Sequence, residues 1–124
     1  MNAVTDTHAL FWYFEAPQKL PTKIIELFDG ASVIVIPTIV ILELEAILAK
    51  KFLQRRFKQL LGELISNKAC FIYPLNLEIL NGYTGFAESL EMHDRVIVVT
   101  AKILNLPLVT KDQEISKIYP KVIW

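Results

Sequence analysis

Apolar positions along this chain fall into two alternating patterns: short blocks in which successive residues are apolar, and longer blocks in which they return with a helical period. Residues 3–5 form the first short block and read as a strand ending at Asp6. Residues 8–14 have the composition of a buried helix, with Asp6 or Thr7 available as its cap. Pro17 and Pro21 mark a loop, after which Thr22 is placed to cap a helix over 23–28 that Gly30 would end. Residues 32–36, SVIVI, are β-branched and continuously apolar, the pattern of a strand covered on both faces.

Pro37 and Thr38 suit a helix start, and 39–50 is apolar nearly all round apart from Glu43 and Glu45. A helix over 53–65 is amphipathic, with Phe57, Leu60, Leu61 and Leu64 opposite Arg55, Arg56 and Lys58. A strand over 71–75 and a weaker helix over 77–80 follow, and the glycines within 81–85 predict a loop or a helix interruption. Asp94 opens a helix over 95–104. Pro107 starts a strand carrying Leu108, Val109 and Thr110, and a helical turn over 114–118 precedes a last strand over 122–124. Strands alternating with helices, and apolar on both faces, predict a three-layer α/β/α sandwich around a mostly parallel five-stranded sheet.

Length adds one expectation: 124 residues make a single domain spanning 1–124, burying about two-thirds of the surface of its unfolded chain. Hydrophobic residues make up 53% and charged ones 21%, an apolar excess that must enter a core or a partner interface. No apolar run reaches the roughly 18 residues a spanning helix needs, and the N-terminus lacks the basic start of a signal peptide. A cytoplasmic protein with no membrane association is expected. The single cysteine, Cys70, lies within the apolar run CFIY and reads as a buried structural thiol.

The formal net charge is zero, so binding to nucleic acid would have to be local. Lys50, Lys51, Arg55, Arg56 and Lys58 form the one basic cluster, read either as a solvated helix face or as a contact for nucleic acid or an acidic partner.

The acids carry the candidate chemistry. Asp6 follows the first strand and Asp112 follows the fourth, so both belong at the carboxyl edge of a parallel sheet, where ligands bind. Glu43 lies about two helical turns beyond the second strand, and Asp94 stands where the helix feeding the fourth strand begins. Singly, each has an ordinary role as cap, turn residue or ion-pair partner. Together on one edge they repel one another, and a bound hard cation removes that penalty. All-oxygen donors suit Mg²⁺ or Mn²⁺ better than Zn²⁺. Such an ion favours attack of water on a phosphodiester by stabilising both nucleophile and leaving oxygen. No nucleophilic triad, phosphate loop or paired-cysteine motif competes. His8 and His93 are expected to serve capping or packing.

With Asp6-Thr7-His8, Glu43 and the stretch from Asp94 to Asp112 in view, the sequence resembles PIN-domain proteins, and among them the VapC-type toxins of toxin–antitoxin pairs. The opening DTHALFW and the closing DRVIVVTAKILNLPLVTKD carry the resemblance, while residues 50–90 add little. It implies a metal-dependent endoribonuclease acting on single-stranded or looped RNA, with Mg²⁺ or Mn²⁺ as cofactor. Asp6, Glu43 and Asp94 match three core acids, Asp112 a more variable fourth, and Thr7 and Thr110 small hydroxyl positions beside them. It further implies a homodimer and a protein antitoxin.

Three points depart from the family pattern or leave it open. Pro37 stands where relatives have a hydroxyl residue, with Thr38 as the substitute; Glu91 stands where they have an aspartate, a possible outer ligand; and Glu45 rivals Glu43, which family spacing favours. A catalytically silent PIN module that binds RNA or protein is the alternative. A receiver-like domain or a haloacid-dehalogenase-like phosphatase fits less well. Residues 6–8 read Asp-Thr-His rather than Asp-x-Asp, and Pro74 and Asn76 stand where a phospho-acceptor aspartate belongs. Four successive aromatics, Phe11 to Phe14, point around most of a helix and suggest a groove for a partner segment or a second copy of the chain.

Overall fold

Strand β1 (Asn2–Thr5) lies at the centre of a five-stranded sheet, and the later strands are added first on one side of it and then on the other. The computed structural model describes all of residues 1–124. After β1 come α1 (Thr7–Glu15), a short 3-10 turn at Pro17–Lys19, α2 (Thr22–Gly30) and β2 (Val33–Pro37). Helices α3 (Thr38–Lys50) and α4 (Gln54–Ser66) lead to β3 (Cys70–Tyr73). Helices α5 (Leu77–Tyr83) and α6 (Met92–Leu104) lead to β4 (Leu108–Val109), and α7 (Gln113–Ile118) to β5 (Val122–Ile123).

The strand order is β3-β2-β1-β4-β5 and every pairing is parallel. Helices flank the sheet, giving the expected α/β/α sandwich. Because β2 and β3 extend the sheet on one side of β1 while β4 and β5 extend it on the other, strand order reverses between β1 and β4. Neighbouring connections diverge there, and a crevice opens at the carboxyl ends of those two strands.

Burial follows the apolar blocks. Val4, Ile34, Ile36, Leu108 and Val109 fill the sheet, and Val40, Leu44 and Leu48 of α3 with Ile97, Val98 and Ala101 of α6 pack in the same core. Helix α6 is buried through its centre, Val96 to Ala101, while its first turn is left half-exposed at the sheet edge.

Several local expectations change. Helix α5 continues through 81–83, where glycine content predicted a break. A Cβ on Gly82 would lie 3.1 Å from Cγ1 of Val99, so this residue lets α5 approach α6 closely. Gly30 closes α2 in ordinary helical conformation, and Thr22 is the first residue of that helix rather than its side-chain cap. Pro37 belongs to β2, paired with Tyr73. Strand β3 stops before Pro74, which has no N–H for a ladder. Cys70 is half-buried rather than enclosed, and desolvation raises its thiol pKa, the opposite of what a nucleophile needs.

Candidate active site

The crevice predicted by strand order is a cleft of about 440 Å³ lined by Asp6, Thr7, His8, Trp12, Glu43, Glu91, Asp94, Lys111 and Asp112. All four acids singled out from the sequence therefore face one cavity. Asp6 leaves the end of β1 and caps α1, its Oδ1 accepting the N–H of Ala9 at 2.9 Å. Asp112 caps α7 in the same way, accepting the N–H of Ile115 at 3.0 Å. Capping and cleft-lining are thus combined in the same residues: a helix starts after each strand, and its cap stands where the strands end.

Glu43 projects from α3 and accepts a hydrogen bond from the hydroxyl of buried Thr7 at 2.6 Å. Glu45 is exposed and absent from the cleft wall, so α3 presents Glu43 inward. Asp94 sits in the first turn of α6 rather than before it. Glu91 is the cap, accepting the N–H of His93 at 3.1 Å. Thr110 is fully buried and its hydroxyl accepts the N–H of Asp112 at 3.1 Å, tying the Asp112 loop to the end of β4. Thr38 does not replace the hydroxyl missing at Pro37. Its side chain accepts the N–H of Leu75 at 3.3 Å, outside the cleft.

The electrostatics match the crowding. Burial raises the Asp6 pKa, with Thr110 and the Ala9 N–H opposing. Asp94 is pushed up to about 6, first by burial and then by the charges of Asp112, Glu91, Glu43 and Asp6. No side-chain cation pairs with Asp6, Asp94 or Asp112. His93, expected to serve capping or packing, stands beside the cap of α6. Its Nδ1 lies 2.8 Å from Oε1 of Glu91 and 3.7 Å from Oε2 of Glu43, and donor atoms of the three fall within 4.8 Å of one another. His8 is exposed in the cleft wall.

Unpaired carboxylates converging on a partly buried cleft have the donor chemistry and the unmet charge that a hard divalent cation satisfies. The residues present fit such an ion. Lys111 and Trp12 are wall residues that sequence reasoning missed. Lys111 adjoins Asp112, which was a usable signal, but Trp12 was hidden within a run of four aromatics.

The sequence matches the PIN domain over residues 3–121. The chain belongs to the PIN-domain family. No curated protein matches it. Among solved structures, the PIN fold seen here is similar to a chain of VapBC2 from Rickettsia felis bound to a DNA fragment from its promoter, with TM-score 0.79, 19% identity, and 99% of this chain and 96% of that one covered. A toxin–antitoxin complex from Klebsiella pneumoniae matches with TM-score 0.73 and 19% identity over 98% and 96%. FitAcB from Neisseria gonorrhoeae matches with TM-score 0.71 and 17% identity over 98% and 96%. At these identities the likeness is one of fold, and it covers essentially the whole length of each chain.

Proposed function

We propose that this PIN-domain protein is a metal-dependent endoribonuclease that hydrolyses phosphodiester bonds in single-stranded or looped RNA, as the toxin of a toxin–antitoxin pair. The observation that carries the reading is the meeting of Asp6, Glu43, Asp94 and Asp112, from four separate elements, in one cleft at the strand-order reversal. These acids are the residues that would hold Mg²⁺ or Mn²⁺. When bound, the ion polarises the scissile phosphate and makes water a competent nucleophile near neutral pH.

The chain's own residues supply positioning. Asp6 and Asp112 are fixed by their capping bonds, and Glu43 by the Thr7 hydroxyl. Asp94, in the turn just ahead of the buried centre of α6, orients the attacking water by accepting its hydrogen bond. Membership of the family supports nuclease chemistry, and the structural relatives crystallised as toxin–antitoxin complexes support a protein antitoxin that silences the cleft. The whole of 1–124 acts as one domain. It works in the cytoplasm, and no helix is long and apolar enough to cross a membrane. A homodimer accounts for large apolar side chains left in water, among them Leu42, Leu77 and Met92.

The test is cleavage of a mixed RNA pool by purified protein in Mn²⁺, with and without EDTA, and sequencing of the cut ends. Cleavage that EDTA abolishes is expected. Cleavage that persists in EDTA removes the metal from the reading, and no cleavage of any RNA in Mn²⁺ rejects the enzyme.

A further inference from the structure

The cleft has a second wall whose chemistry differs from the acids. Trp12, half-buried on α1 and packed partly against the core, is approached by cations from two other segments. Lys19 Nζ, from the 3-10 turn, lies 5.8 Å from its ring centroid, and Lys111 Nζ, from the β4–α7 loop, lies 5.6 Å away. The indole is braced by two further rings, with centroids at 5.7 Å for His8 and 6.1 Å for Trp124, both tilted. Trp12, His8 and Lys111 line the same cleft as the four acids.

This cluster differs from an ordinary structural cation–aromatic pair. Arg95 over Tyr83 is committed, its guanidinium donating to the carbonyls of Phe86 and Tyr83 at 2.8 Å each. Lys19 and Lys111 are exposed and are held by no ion pair. The remaining wall is acidic, so a polyanion reaching it needs cations close by and a neutral surface for its bases. A ring flanked by two free ammonium groups provides both: bases stack on aromatic faces without regard to sequence, and lysines meet the phosphates on either side.

We propose that Trp12, Lys19 and Lys111 form a nucleotide shelf, on which one unpaired base of the RNA stacks while its flanking phosphates are held beside the acids. The inference rests on the nuclease reading for the identity of the ligand. It goes beyond that reading by assigning substrate positioning to three residues that are not acids, and by giving a reason why the cleft takes unpaired RNA: a base within a duplex has no free face to offer.

The experiment uses the full chain and a fluorescein-labelled single-stranded RNA of mixed sequence. Anisotropy titrations are run in an Asp94→Asn background, which does not consume the probe. Trp12→Leu should weaken binding about tenfold, with Trp12→Phe between it and the parent. Lys111→Gln and Lys19→Gln should each reduce the slope of log affinity against log salt by about 0.7. In the active chain, Trp12→Leu should raise KM by a larger factor than it lowers kcat.

A Trp124→Phe variant keeps Trp12 as the sole indole, and its emission should be quenched as RNA is added. This readout stands even where Trp12→Leu folds poorly. Unchanged affinity and salt slope in the Trp12 and lysine variants, or unquenched Trp12 emission, overturns the shelf while wild-type cleavage leaves the nuclease reading intact. Conversely, a chain that binds RNA through these residues but cleaves none in Mn²⁺ keeps the shelf and loses the enzyme.

Discussion

The two ends of helix α6 treat their polar groups in opposite ways. At the C-terminal end the closing groups are partnered: Asn105 closes the helix in left-handed conformation, its N–H bonded to carbonyls of the last turn. The buried Tyr119 hydroxyl reaches the carbonyls of Leu106 at 2.6 Å and Ala101 at 3.1 Å. In the interior of the helix the Thr100 hydroxyl donates to Val96 at 2.8 Å. At the N-terminal end, Asp94 is half-buried among four other carboxylates, with no cation paired to it. One helix, packed on one core, thus carries a finished end and an unfinished one. Since the same chain satisfies its buried polar groups elsewhere, the charge crowding at Asp94 is a feature of the cleft and points to a ligand that completes it.

The sharpest way to break this contrast is to remove the charge. On the proposed function, Asp94→Asn should reduce Mn²⁺-dependent RNA cleavage by on the order of a thousandfold, since loss of a carboxylate proposed to hold the metal would forfeit several kcal/mol of transition-state stabilisation. The same substitution should stabilise the metal-free fold against urea, because it relieves like-charge repulsion. Full cleavage by this variant would remove Asp94 from the site.

A milder test acts through Glu43. Thr7→Val keeps the buried shape but deletes the donor to its carboxylate, and should cost about ten- to hundredfold in activity or Mn²⁺ affinity, as losing a group that orients a ligand does. An unaltered metal titration would show that Glu43 needs no such support.

At the finished end, Tyr119→Phe should destabilise the fold by about 1 kcal/mol in urea unfolding, the net worth of the hydrogen bonding it deletes, and leave Mn²⁺ affinity unchanged. A change in metal binding would mean that the two ends are coupled.

A further effect is a pH dependence of the metal-free fold. Asp94 titrates at about 6 when folded against an ordinary 3.8, so between those values the native state holds a proton that the unfolded chain has released. This contribution is fully present below 3.8 and is lost as pH rises through about 6. Asp6, also raised, acts with the same sign. Urea unfolding in EDTA should therefore show this part of the stability declining across that window. Saturating Mn²⁺ should offset the decline on its upper side, where the carboxylates are charged. A flat profile in EDTA would contradict the crowding.

Much of this contrast is legible in the residues alone. The strand–helix alternation, the parallel sheet and the placement of Asp6 and Asp112 after strands all follow from local patterns, because burial on both faces imposes continuous apolar runs. The glycines near residue 82 suggested a break, whereas close packing against Val99 keeps that stretch helical. Glu43 and Glu45 could not be separated by periodicity, because a helix apolar nearly all round has no marked face. Thr7, 36 residues away in sequence, decides between them. Nor does the local pattern bring Glu91 and Glu43 together beside His93, which reads from sequence as a capping or packing residue.

By itself, then, the sequence determined the kinds of element, their order, and which acids fall next to strand ends, since these depend on neighbours along the chain. Only the tertiary structure decided that strand order reverses between β1 and β4, that Asp94 lacks a cation, and that Lys19 and Lys111 meet at Trp12. Charge and packing act through space. A carboxylate's proton affinity and an aromatic ring's partners are therefore set by segments that the local pattern cannot bring together.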